Sequence, residues 1–112
     1  MIPRRGEIWL AEFGEPVGRE QARIRPAVVV STDALHEGPS GVVLVVPLTS
    51  TRRELPSHVE IEQGESGLHH PSYAKCEDVK PVSERRLVGR LGVAGPEPMF
   101  EIAQILRYLL EL

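Results

Sequence analysis

The chain has 112 residues, 41% hydrophobic and 26% charged, with a net charge of −3. That composition excludes intrinsic disorder and fibrous repeats and predicts one domain, residues 1–112, around one core. The longest apolar run, Val42 to Leu48, falls far short of the roughly 20 residues that cross a bilayer, so no membrane span is expected.

Two arginines near the N-terminus are followed by no apolar stretch, which predicts no export signal and a cytoplasmic setting. Glu7 to Phe13 then alternates, with Ile8 and Leu10 on one face and Trp9, Ala11 and Phe13 on the other, the pattern of a strand buried on both sides. Gly14 to Gly18 breaks it, and the polar stretch from Arg19 to Arg25 reads as a long exposed loop, a common seat of function. Pro26 to Ser31 is a second strand with proline at its first position, and Thr32-Asp33 caps one short turn. Gly41 to Val46 is apolar on both faces, hence central, and runs into Pro47-Leu48-Thr49-Ser50-Thr51. Ser57 to Glu62 alternates as a half-exposed strand closed by Gly64, and Ser72 to Asp78 forms another. A polar turn after Pro81, at Ser83 to Arg86, precedes a last short strand from Leu87 to Leu91.

The period changes at the C-terminus. Met99, Ile102, Ala103, Leu106, Leu109 and Leu110 recur at helical spacing, with Pro96 and Pro98 in the first turn, where their missing donors cost little. Phe100, Ile105 and Leu112 widen the apolar surface beyond one stripe, which predicts a second subunit against the helix. The expected fold is mainly β (α+β): a strongly bent or barrel-like antiparallel sheet with a C-terminal α-helix.

Several chemistries are excluded by missing residue types. Phosphate-binding glycine motifs and the Gly-x-Ser-x-Gly elbow are absent, and the four histidines show no metal-binding spacing. Adjacent His69 and His70, before Pro71, read as solvated loop residues. Cys76 is the only cysteine, too few for an internal disulfide, and reads as a buried inert thiol. Of 13 basic residues 11 are Arg and 2 are Lys, a bias toward the side chain that grips phosphate and carboxylate through paired N–H groups. High-GC codon usage accounts for the same bias, and both readings stay open. The remaining constellation is Glu20, Gln21 and Arg25 on the polar loop with Thr49 and Ser50 after the central strand. Bland roles, a surface charge for Arg25 and turn hydroxyls for Thr49 and Ser50, fit the same residues.

Taken in order, Arg4-Arg5-Gly6-Glu7-Ile8-Trp9, Gly18-Arg19-Glu20-Gln21, Arg25-Pro26-Ala27-Val28-Val29-Val30-Ser31 and Val46-Pro47-Leu48-Thr49-Ser50 resemble the successive motifs of the MazF/PemK toxin endoribonucleases. Pro56 to Ile61, Gly67-Leu68, Ser72, Arg85-Arg86-Leu87 and the closing helix continue the likeness over nearly the whole chain. The resemblance implies a small SH3-like β-barrel with a C-terminal helix, a homodimer, and cleavage of single-stranded RNA at short sequences without metal or cofactor. A MazE-like antitoxin partner is implied as well. Carried over residue by residue, it places the catalytic pair on Arg25 and Thr49, with Glu20 as a candidate proton acceptor and Gln21 beside it.

Further candidate RNA contacts are Ser50, Arg19, Arg23, Arg86 and Asp78, with Arg52 and Arg53 along the same strand-tracking groove. Two positions depart from the family pattern: Arg19 replaces the usual loop serine, and Asp78 stands where many members have a glutamine. An ionised Asp78 only accepts hydrogen bonds, so any base contact there differs from an amide's. Two other readings remain: a gyrase-binding toxin on the same fold without RNA chemistry, and an RNA-binding module without cleavage. The known gyrase binders carry a tryptophan at the extreme C-terminus, whereas the only tryptophan here is Trp9.

Overall fold

The structure, a computed structural model, describes residues 2–14 and 24–112. Seven strands are present among them: β1 (Glu7–Glu12), β2 (Ile24–Val29), β3 (Val42–Thr49), β4 (His58–Ile61), β5 (Ser72–Lys75), β6 (Lys80–Ser83) and β7 (Leu87–Val93). Helix α1 (Asp33–Glu37) follows β2 and helix α2 (Pro96–Leu110) follows β7. All pairings are antiparallel, in the order β4-β5-β3-β2-β1-β7, with β6 paired to β3 beside that path.

The two-residue period sorts β1, β2 and β3 into two cores. Ile8, Val28, Val46 and Leu48 pack with β4, β5 and Ile102 of α2, while Trp9, Ala11, Ala27, Val29, Val43 and Val45 pack with Val82. Burial on both faces is what their unbroken apolar sequences predict. Register shifts in β1·β7 at Ile8/Trp9 and Leu10/Ala11 bend the sheet. Among the described residues no ladder joins β4 to β7, so the sheet curls without closing, and the expected barrel is open. Helix α2 lies against β4, and apolar surface at that end is buried by the helix instead of a closing ladder. No helix among the described residues is long and apolar enough to cross a membrane.

Several boundaries differ from expectation for identifiable reasons. β2 starts at Ile24, so Arg25 belongs to a strand and Pro26 is internal. Pro26 is tolerated because it pairs with Leu10 of β1 and lies one residue beyond the ladder to β3, which begins at Ala27↔Pro47. The Ser72 strand ends at Lys75, where a 3₁₀ turn (Cys76–Asp78) takes over. The polar turn expected at Ser83 to Arg86 is present as a 3₁₀ turn (Glu84–Arg86) capped by Ser83, but the strand β6 just before it is not predicted from the sequence. It buries Val82 alone, leaving no alternation to read, and it pairs only with β3, which accommodates Pro81.

The predicted cap at Thr32 is present: its side chain accepts from Leu35 N at 3.3 Å. On α2 the inward face is Met99, Ile102, Ile105 and Leu106, so Ile105 belongs to the core stripe. Leu109 and Leu110, expected in that stripe, are exposed together with Tyr108 and Leu112 at the end of the helix, and Phe100 is exposed near its start.

The loop between β4 and β5 is held firmly. Ser66 Oγ donates to Glu62 O at 2.6 Å, and Val93 N of β7 donates to Glu65 O at 2.9 Å. Gly67, at φ +75, leaves no room for a Cβ against the Leu91 carbonyl, and a Cβ on Gly92 would run into the Glu65 carbonyl. Gln63 Nε2 donates to His69 O at 2.6 Å, tying down the part of the loop that leads into β5.

Candidate active site

The register of β3 with its two neighbours brings three chain segments to one point. β2 and β3 pair as Ala27↔Pro47, Val28↔Val46 and Val29↔Val45, so Arg25, two residues before that ladder on β2, and Thr49, two residues after it on β3, come to the same end of the sheet. On the other side Thr49 pairs with Tyr73 of β5, so the residues just before β5 run beside those just after β3. The result is a cleft of about 390 Å³ lined by Arg25, Thr49, Ser50, Thr51, His70 and Ser72 among others. Arg25, Thr49 and Ser50, named from the sequence, are therefore neighbours in space.

Arg25 is exposed near the start of β2 and lines the cleft. Thr49 Oγ1 accepts from Thr51 N at 3.2 Å, which leaves its own O–H to donate toward the cleft. A guanidinium fork beside a hydroxyl donor is suited to the oxygens of a phosphodiester.

Arg19, Glu20, Gln21 and Arg23 lie outside the described residues. Arg86 is on the 3₁₀ turn before β7, its Nη1 3.4 Å from Glu12 O. It sits at the same end of the sheet as Arg25, because Ala11 of β1 pairs with both Arg25 and Leu87. Asp78 does not line the cleft: its carboxylate is 2.9 Å from Lys75 Nζ on the Cys76–Asp78 turn. Arg52 is 3.2 Å from Glu54 on the exposed segment after β3. His70 on the cleft wall is what sequence reasoning missed. The signal was its position two residues before Ser72, readable only once β5 is known to pair with the end of β3.

Other polar clusters are structural. Ser31 Oγ and His36 Nε2 are 2.5 Å apart, a nucleophile–base distance, yet both residues are buried and fully engaged. His36 Nδ1 donates to Pro3 O at 2.7 Å, and Ser31 Oγ accepts from Leu44 N at 2.9 Å. Cys76 is buried, and desolvation, with the charge of Glu77 second, pushes its thiol up to about 11, as expected of an inert cysteine. A larger recess of about 590 Å³ is walled by Glu60, Glu62, Glu65, Glu97 and Glu101, a field that repels a phosphate chain. No trio of His, Cys, Asp or Glu is gathered as a metal-ligand set among the described residues.

Two carboxylates away from the cleft brace the sheet. Burial acts to raise the pKa of Glu7, but hydrogen bonds from Trp9 Nε1, Arg4 N and Arg90, with the Arg90 charge, leave it below its ordinary 4.5. For Glu77 burial is likewise outweighed by hydrogen bonds from Ser57, its own backbone and His58, and by the charge of His58. Because the folded values lie below the unfolded ones, the stabilisation is complete above the ordinary value and is lost as pH falls through the depressed values. The thermal midpoint should therefore fall steadily as pH drops below about 4.5, as followed by circular dichroism, and Glu7→Gln should flatten part of that slope.

Residues 4–110 match the family described as PemK-like, MazF-like toxin of type II toxin-antitoxin system. The chain belongs to that family. It is 27% identical over 113 residues to endoribonuclease EndoA of Bacillus subtilis (strain 168), an alignment covering 100% of this chain and 97% of that protein. The fold of this PemK/MazF-like chain superposes on crystalline MazF (Form-I) from Deinococcus radiodurans with a TM-score of 0.83 at 25% identity, covering 100% and 99% of the two chains. An endoribonuclease in complex with its cognate antitoxin, from a mycobacterial species, matches at TM-score 0.80 and 25% identity over 98% and 96%. The mostly antiparallel sheet with one C-terminal helix agrees with the MazF structure it superposes on.

Proposed function

We propose that this toxin-family chain, working as one domain over residues 1–112, is an endoribonuclease that cuts single-stranded messenger RNA in the cytoplasm at short sequences. The observation that supports it most is the meeting of Arg25 and Thr49 on the wall of one cleft. RNA brings its own nucleophile. The enzyme needs to align the 2′-hydroxyl with the adjacent phosphorus and stabilise the charge that gathers on the phosphoryl oxygens. Arg25 supplies two N–H donors to those oxygens, and Thr49 adds an O–H donor to the same oxygens or to the departing 5′-oxygen. Ser50, Arg86, Asp78 and the loop residues Arg19, Gln21 and Arg23 are candidate contacts for the flanking nucleotides, and Glu20 is a candidate proton acceptor.

Cleavage by this route needs no metal and ends in a 2′,3′-cyclic phosphate and a 5′-hydroxyl. Purified protein should cut RNA in excess EDTA, give the cyclic product, and leave DNA of the same sequence intact. A substrate with one 2′-deoxy nucleotide at the scissile position should remain whole; its cleavage would overturn the transesterification.

The working form is a homodimer with a cognate, MazE-like antitoxin as its partner. Phe100, Tyr108, Leu109, Leu110 and Leu112 of the α2 region leave more apolar surface exposed than a monomer of this size favours. Sedimentation equilibrium at micromolar concentration should give about twice 12.4 kDa, and a clean monomer would remove the interface.

A further inference from the structure

Transesterification has to move the proton of the 2′-hydroxyl, and neither Arg25 nor Thr49 is equipped to take it. A guanidinium has no lone pair to offer, and the hydroxyls of Thr49, Ser50, Thr51 and Ser72 are poor bases. His70 is the only imidazole on the cleft wall. Its Nδ1 lies 3.2 Å from Pro71 O, and because a carbonyl only accepts, Nδ1 carries the hydrogen of that bond. In the neutral ring Nε2 then holds the free lone pair. The loop that carries His70 is tied to the rest of the fold at several points. Gln63 binds the carbonyl of His69, Gly67 is pressed against Leu91, Val93 holds Glu65, and Pro71 leads directly into β5 at Ser72.

We infer that His70 is the general base of the cleavage reaction, its Nε2 taking the 2′-hydroxyl proton of the nucleotide whose phosphate Arg25 and Thr49 hold; this rests on the endoribonuclease reading above. As Nε2 takes the proton, O2′ bonds to phosphorus and the P–O5′ bond breaks. The departing 5′-oxygen takes a proton from water in the open cleft, and the imidazolium returns its own to solvent. Among the described residues lining the cleft, Arg25 of β2 is the other charged or titratable group, and His69 is the titratable neighbour on the same loop.

The test is the pH dependence of kcat/KM on a single-stranded RNA oligonucleotide, using the full chain. A general base gives a rate that climbs tenfold per pH unit in acid and levels once the base is unprotonated. His70→Asn should lower the plateau roughly 100-fold and abolish the acid limb, with native circular dichroism, and free imidazole should restore part of the rate to His70→Ala. His69→Asn should match the wild type. The deficit of His70→Asn should persist on a substrate with sulfur in place of the 5′-bridging oxygen, whose leaving group needs no proton.

Three results overturn the assignment. His70→Asn within about threefold of wild type with the acid limb intact is the first, and it leaves Glu20 as the acceptor. The variant's deficit must not vanish on the sulfur substrate, since that would make His70 the acid. Nor should His69→Asn reproduce the loss, since that would make it a property of the loop. If the wild type itself fails to cut RNA, the endoribonuclease reading falls first; a wild type that cuts, with Arg25→Ala inactive and His70→Asn unimpaired, overturns only the role of His70.

Discussion

Arg25→Ala should lower the rate of RNA cleavage by at least roughly 100-fold while the protein keeps its native circular dichroism, the loss expected when one preorganised donor to a transition-state anion is removed (about 2.7–4 kcal/mol). The fold tolerates the change because Arg25 is exposed at the end of β2, where substitution removes no core contact. Arg25→Lys restores the charge but not the fork, so it should recover only part of the rate. Thr49→Ala should cost a comparable factor, whereas Thr49→Ser, which keeps both the O–H and the acceptor for Thr51 N, should stay near wild type. Single-turnover kinetics with saturating RNA is the measurement that separates loss of chemistry from loss of binding. Full activity in both alanine variants would place the chemistry outside the β2·β3 cleft.

Expression without a partner should arrest growth, and a small acidic antitoxin should bring cleavage to near zero by occupying the same cleft. Guanidinium forks that accept phosphate accept carboxylate in the same planar geometry, so an acidic extended peptide is a natural competitor for Arg25 and its neighbours. Such a peptide is disordered when free and needs a long contact to offset its ordering cost, and proteolysis of the free peptide then releases the toxin. RNA and antitoxin peptide should exclude each other in a competition titration monitored by anisotropy, with Arg25 shielded in both complexes. Tight simultaneous binding with undiminished cleavage would locate the antitoxin elsewhere and end this account of its control.

The strands with strong apolar alternation were legible because their pattern is local. Ile8 to Ala11, Val28-Val29 and Val42 to Leu48 state their own periods, and the heavy two-sided burial of β3 follows from having no polar face to turn outward. Helix α2 was legible for the same reason, with Pro96 and Pro98 marking its start. β6 was not, because a four-residue strand that buries only Val82 carries no period. The reach of α2 was not either: Leu109 and Leu110 continue the helical stripe in sequence, but in the fold they are exposed.

What the sequence by itself determined was the mainly antiparallel class, the closing helix, the family motifs, and Arg25 and Thr49 as the pair to examine. These depend on residue type and short-range spacing, which the chain carries without folding. Tertiary structure alone decided that the sheet stays open, that Arg25 and Thr49 line one cleft, and that His70 joins them. The reason is register: Ala27↔Pro47 and Thr49↔Tyr73 are pairings between segments distant in the chain, set by how two faces of buried side chains pack together. His69 and His70 are exposed, as their sequence context predicts, but no local pattern around them records that β5 lies against the end of β3 and so sets His70 on the wall of the cleft.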